Sequence, residues 1–176
     1  MKVDNNKKVQ SYPVNSNGAI ELDSIKKKNV FEAAKEFDAD GNGILENEEI
    51  AGFLEKNIPL KSNKAYSIYH ETKDKNGQVS KRCFLMKSDN AQMTYYFKNG
   101  KPYKCIATKA NGDRHVMNLE NGKSKLYKNG SSECGSSYVL NEKNLKWMKR
   151  LGQDKPFRFS NLLEELTYRL INNDWE

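Results

Sequence analysis

Five Asn-Gly dipeptides after residue 60 constrain the fold of this 176-residue chain more than any other feature: Asn76-Gly77, Asn99-Gly100, Asn111-Gly112, Asn121-Gly122 and Asn129-Gly130. Asn-Gly suits the two central positions of a type I′ turn, because both residues tolerate positive φ and the turn matches strand twist. The last four are separated by 12, 10 and 8 residues, the spacing of turns in an antiparallel meander. Between the turns lie runs rich in β-branched and aromatic residues. They predict strands over Ala65–Glu71, Val79–Met86, Met93–Phe97, Tyr103–Lys109, Arg114–Leu119, Lys123–Tyr127 and Tyr138–Leu140. Arg114 to Leu119 alternates polar and apolar, as a strand buried on one face should.

Before residue 60 the apolar spacing is helical instead. The charge divides at the same place: residues 1–60 carry 8 basic and 11 acidic side chains, residues 61–176 carry 22 and 12. The net charge of +7 is therefore the sum of an acidic module and a basic one. At the C-terminal end Asn141 can cap a helix over Glu142–Leu151, with Leu145, Met148 and Leu151 on one face and Gly152 and Pro156 ending it. Ser160 can cap a second helix carrying Leu162, Leu163, Leu166, Leu170 and Ile171, with Trp175 closing an edge. The expected fold is α+β. An N-terminal segment (1–28) precedes a helix-loop-helix (29–60), a central antiparallel β region (61–140) and a C-terminal helical segment (141–176).

The motif that carries chemistry is Asp38-Ala-Asp-Gly-Asn-Gly-Ile-Leu-Glu-Asn-Glu-Glu49. It satisfies every specified position of D-x-[DN]-x-[DN]-G-x5-E, and its five carboxylates have no Lys or Arg among them. The flanks supply a second signal, with Val30, Ala33, Ala34 and Phe37 before the loop and Ile50, Phe53 and Leu54 after it. Residues 29–57 thus resemble an EF-hand; only Asn57 departs from the apolar pattern. The resemblance implies Ca²⁺ as the cofactor, held by a ring of ~6–8 hard oxygens. Asp38, Asp40 and Asn42 would supply side-chain oxygens, Ile44 its backbone carbonyl, Glu46 a direct or water-mediated contact, and Glu49 both carboxylate oxygens. Gly43 permits the sharp turn.

EF-hands commonly pair, and a half-match lies a short way upstream. Asn15, Asn17, Gly18, Ile20, Glu21 and Ile25 fall opposite Asp40, Asn42, Gly43, Leu45, Glu46 and Ile50. Pro13 and Ser24 stand where the two end ligands should be. One reading is a degenerate loop that pairs without binding metal. The preferred reading is simpler: a β-turn at Asn17-Gly18, then Asp23 or Ser24 capping a helix. Three turns of the β region, Tyr96 to Lys101, Asn118 to Lys123 and Leu126 to Ser131, also resemble the aromatic-x-Asn-Gly hairpins of MORN-type repeats.

A polyanion or nucleic-acid interface is the alternative reading. In the basic β region Lys98, Lys101, Lys104 and Arg114 interleave with Tyr96 and Tyr103, the cations and stacking faces such ligands use. Lysines on a solvated sheet edge serve equally to discourage strand pairing. Cys83, Cys105 and Cys134 are widely scattered, without the C-x2-C pairs of a zinc site. His70 and His115 are the only histidines, and no phosphate loop, G-x-S-x-G or H-E-x-x-H is present. The chain is expected to be non-enzymatic, with calcium and a protein or polyanion as partners. No apolar run approaches the ~18 residues of a membrane span. An isolated loop of this kind suits a calcium-rich extracytoplasmic setting, whereas few cysteines and a start without an apolar run suit the cytoplasm.

Overall fold

The computed structural model describes residues 11–57, 66–86 and 90–154. The architecture is mixed α+β, with a seven-stranded antiparallel sheet and, among the described residues, three α-helices. The N-terminal part contains β1 (Ile20–Glu21), a single 3-10 turn (Leu22–Ser24), α1 (Lys28–Lys35), β2 (Ile44–Leu45) and α2 (Asn47–Asn57). The sheet follows as a meander in chain order: β3 (Tyr66–Lys73), β4 (Val79–Met86), β5 (Gln92–Lys98), β6 (Lys101–Thr108), β7 (Arg114–Asn118), β8 (Lys123–Tyr127) and β9 (Ser136–Val139). α3 (Glu142–Gly152) closes the described chain. The second C-terminal helix expected from Ser160 lies outside the described residues.

The register explains why both faces of the sheet are buried. One cross-strand row runs Arg82, Tyr95, Cys105, Met117, Ser124 and Tyr138; the next runs Cys83, Thr94, Ile106, Val116, Lys125 and Ser137. Successive side chains point to opposite faces, so the rows look opposite ways. The first face packs Phe84, Met93, Tyr95, Met117 and Leu119 against Met148 and Leu151 of α3. The second face supplies Tyr69, Cys83 and Leu85 to a separate core with Ile20, Leu45, Ile50 and Phe53. A bulge between Ile68 and His70 leaves three consecutive buried residues in β3 and brings Tyr69 into that second core.

α3 forms as its sequence signals. Asn141 accepts the Asn144 N–H at 2.8 Å, the N-cap bond that satisfies an orphan donor. Arg82 donates to the Gly152 carbonyl at 2.8 Å and pairs with Glu71 at 2.5 Å, placing a cation at the negative end of the helix.

Two local expectations require correction. Neither Asp23 nor Ser24 caps α1; both belong to the 3-10 turn, and the N-cap position is Lys27, with no side-chain cap bond. Only Asn99-Gly100 has the two positive φ values of a type I′ turn, 50° and 74°. At the other four sites the glycine alone is left-handed. At Asn76-Gly77, Gly77 N–H bonds the Asp74 carbonyl and Asp74 N–H the Gln78 carbonyl, so the loop is one residue longer and the glycine sits at a bulge. The Asp74 carboxylate fixes that loop by accepting from Asn76 and Gln78 N–H at 2.8 and 3.0 Å.

Candidate metal centre

The loop between α1 and α2 curls because short polar side chains accept bonds from backbone N–H groups just ahead of them. Asp40 accepts from Asn42 N–H (3.1 Å), Asn42 from Ile44 N–H (2.8 Å) and Asp38 from Gly43 N–H (2.9 Å). Gly41 and Gly43 take φ of 71° and 79°, which side chains at those positions would resist. Glu49, in the first turn of α2, reaches back across the loop. Its two oxygens accept from Ala39 N–H (3.0 Å) and Glu46 N–H (3.1 Å).

The outcome is convergence. One carboxylate oxygen from each of Asp38, Asp40 and Glu49 lies within 4.8 Å of the others, an arrangement that could hold a metal ion. Asp38 Oδ1 is buried without a hydrogen-bond partner. Of the other expected ligands, Asn42 Oδ1 is engaged by Ile44 N–H, and Glu46 stands outside the triad. Partial desolvation, with Glu49 and Asp40 beside it, raises the Glu46 carboxyl above its usual range. Leu22 N–H bonds the Gly43 carbonyl at 3.0 Å and Glu21 pairs with Ile44. The alternation of an antiparallel pair then turns the Ile44 carbonyl away from β1.

The loop is seated on the sheet. β1 and β2 pair through Ile20↔Leu45 and Glu21↔Ile44, both Ile20 and Leu45 fully buried. Tyr69 donates its hydroxyl to the Gly18 carbonyl at 2.6 Å, and Asn47 N–H reaches Gln92 Oε1 at 3.3 Å. A polar cleft of about 480 Å³ lies beside this contact, lined by Glu46, Asn47, Thr108 and Arg114 among others. Asn47 Oδ1 and Thr108 Oγ1 are buried in its wall without partners. No spacing in the sequence signalled this cleft, because its residues meet only through sheet register.

The six residues considered for polyanion binding do not line a single cavity. Lys98, Tyr103 and Lys104 line an open groove of about 770 Å³ on the second face over β6 to β9. Arg114 belongs to the polar cleft instead, and Lys101 and Tyr96 line neither. The rings already carry cations of this chain: Lys98 over Tyr103 at 4.3 Å, and Lys104 and Lys81 over Tyr96 at 5.5 and 5.8 Å.

Cys83 and Cys105 are buried and Cys134 is exposed, all three as free thiols. Burial pushes the Cys83 thiol up to about 11 and Cys105 further still, which suppresses the thiolate that nucleophilic chemistry needs. His115 Nδ1 lies 2.7 Å from the Tyr138 hydroxyl and His70 Nδ1 lies 2.8 Å from Ser11 Oγ, so each imidazole has a structural partner. No family model matches this chain, and neither does any curated protein or solved structure.

Proposed function

We propose that the protein binds calcium through residues 38–49 as an EF-hand, and that residues 15–25 are a degenerate partner loop without a metal of their own. The observation that carries this reading is the convergence of the Asp38, Asp40 and Glu49 carboxylates, together with a buried, unpartnered Oδ1 on Asp38. A buried carboxylate oxygen without a donor is costly, and clustered carboxylates repel unless a cation sits among them. Oxygen-only ligands with a two-oxygen Glu at the loop's last position favour Ca²⁺ over Mg²⁺, which demands a tighter octahedron and keeps its waters.

The partner loop is supported by position. Gly18 and Gly43 are both left-handed, with φ of 83° and 79°, and the residues two places after them, Ile20 and Leu45, pair with each other. Ca²⁺ titration calorimetry on the intact chain tests the metal. Saturable heat is expected for the wild type, and its loss in Asp38→Asn/Glu49→Gln with an unchanged far-ultraviolet circular dichroism spectrum. A wild type that takes up no Ca²⁺, or a double variant that binds as well, removes the reading.

A further inference from the structure

Natural sheets usually protect their edges with charges, proline or a covering element, since an unpaired edge invites another strand. Among the described residues β9 shows none of these: Ser136, Ser137, Tyr138 and Val139 are all neutral. Val139, 68% exposed, is the one exposed large hydrophobic residue among those described. No described strand pairs with its outer side. Leu140 N–H bonds the Gly122 carbonyl at 2.9 Å, and Ser124 pairs with Tyr138. By the antiparallel alternation, Tyr138 then spends its backbone groups on β8, while those of Ser137 and Val139 face outward.

The same two residues form one wall of the second-face groove. Lys125 lies directly across from Ser137 and Lys123 from Val139. Lys98 and Lys104 complete the basic lining, with Glu120 as the single acid. A strand added to β9 would place its second-face side chains about 9.6 Å, two strand spacings, from Lys123 and Lys125. Ser137 is too small to block that path, and a lysine and a glutamate extended toward each other span it. A second copy of this chain fits less well, since edge-to-edge pairing would bring two sets of these lysines onto one continuous face. A nucleic acid would use the lysines but leave the outward backbone groups unmet.

We propose that the outer edge of β9 and its adjoining lysine groove bind an extended acidic peptide segment, which adds to the sheet as an eighth strand. Outward N–H and C=O groups of Ser137 and Val139 supply the ladder, and Lys123 and Lys125 select carboxylates at alternate positions of the ligand. The site is separate from the metal loop, and its test does not depend on calcium.

The probe is a fluorescein-labelled, end-capped heptapeptide alternating Glu with Thr and Val, followed by anisotropy at low salt with the full-length protein. Saturable binding is expected, weakened roughly tenfold or more by Lys123→Glu/Lys125→Glu and lost when the peptide is N-methylated at alternate residues. The methylated peptide leaves the protein unaltered, so a folding defect cannot imitate that result. Val139→Pro should also remove binding, because an outward N–H on an edge strand can be deleted without breaking the fold's own ladder. The proposal is overturned if the peptide does not bind, if either the methylated peptide or the lysine variant is indifferent, or if labelled dodecathymidylate binds and the peptide does not. A concentration-dependent dimer abolished by Val139→Pro would assign the edge to a second copy and equally overturn it.

Discussion

Asp38 and Asp113 are carboxylates in opposite electrostatic circumstances. Asp38 has one oxygen on Gly43 N–H and the other buried alone, with two more carboxylates inside 4.8 Å. Asp38→Asn should therefore leave the thermal midpoint in excess chelator unchanged or higher, because it relieves repulsion, yet abolish the rise that Ca²⁺ produces. A calorimetric scan in each condition reads the two signs separately; a loss of equal size in both means that the side chain serves only the turn. Asp113 is held differently. Burial alone would raise its carboxyl, but Asn129 N–H, Lys128 Nζ and Asn111 Nδ2 outweigh that and keep it below the usual range. A depressed folded-state pKa means the stabilisation is complete above the unfolded carboxylate range and fades as pH falls through the folded value. We expect Asp113→Asn to cost about 1–2 kcal/mol near neutrality, with the gap to wild type closing in acid. Urea titrations at a series of pH values check it, and a gap independent of pH would show that packing rather than charge is lost.

At the scale of elements, one close contact exposes how tightly α3 sits on the sheet. A methyl at Gly152 would stand 2.4 Å from the Tyr95 ring, itself fully buried. Gly152→Ala should destabilise by about 1–3 kcal/mol, the cost of overpacking, despite alanine's better helix propensity. Equilibrium unfolding that shows a neutral or stabilising effect would mean α3 does not press on Tyr95. Much at this level is legible in the sequence. The strands lie within a few residues of their expected bounds because each is framed by a turn signal, and the Asn141 cap forms as expected. Other features are hidden for physical reasons. Asn-Gly fixes the place of a turn but not its length, since only glycine needs the left-handed region when a bulge follows. Period-two alternation reveals one buried face, yet β3 to β5 are buried on both, so spacing alone does not separate the two cores. The β1–β2 pairing is the less favoured of two sequence readings because Pro13 and Ser24 erase the end ligands. What Gly18 and Ile20 share with Gly43 and Leu45 is backbone conformation and packing, which leave a fainter trace than charge. Of the metal loop, the triad is readable from spacing. Its seat on Gln92 and Tyr69 is not, because those contacts span 45 and 51 residues.

For the whole molecule, the consequence of that seating is that the proposed ion binding would not be independent of sheet stability. Leu45, Ile50 and Phe53 on the metal-loop side share one core with Tyr69, Cys83 and Leu85 of the sheet. Met117 and Leu119 lie in the other core, against α3. A ligand that binds only the folded state stabilises it by about 2.7 kcal/mol at one hundred times its Kd. Calcium should therefore raise the thermal midpoint of the entire chain in one cooperative transition instead of ordering the loop alone. Two truncations separate this from a local effect. Leu45→Ala removes a fully buried side chain between loop and sheet, and should lower stability by about 2–5 kcal/mol while also weakening Ca²⁺ binding. Met117→Ala should cost a similar amount of stability but leave the affinity of the folded protein unchanged, because its cavity opens on the opposite face of the sheet. Calorimetric titration of both variants below their melting ranges gives the affinities, and scanning calorimetry with and without Ca²⁺ gives the midpoints. Equal affinities for the two variants, or a Ca²⁺-dependent transition confined to part of the unfolding enthalpy, would show the loop to be an appendage; unequal affinities with a single shifted transition make the second core the path through which the ion steadies the sheet.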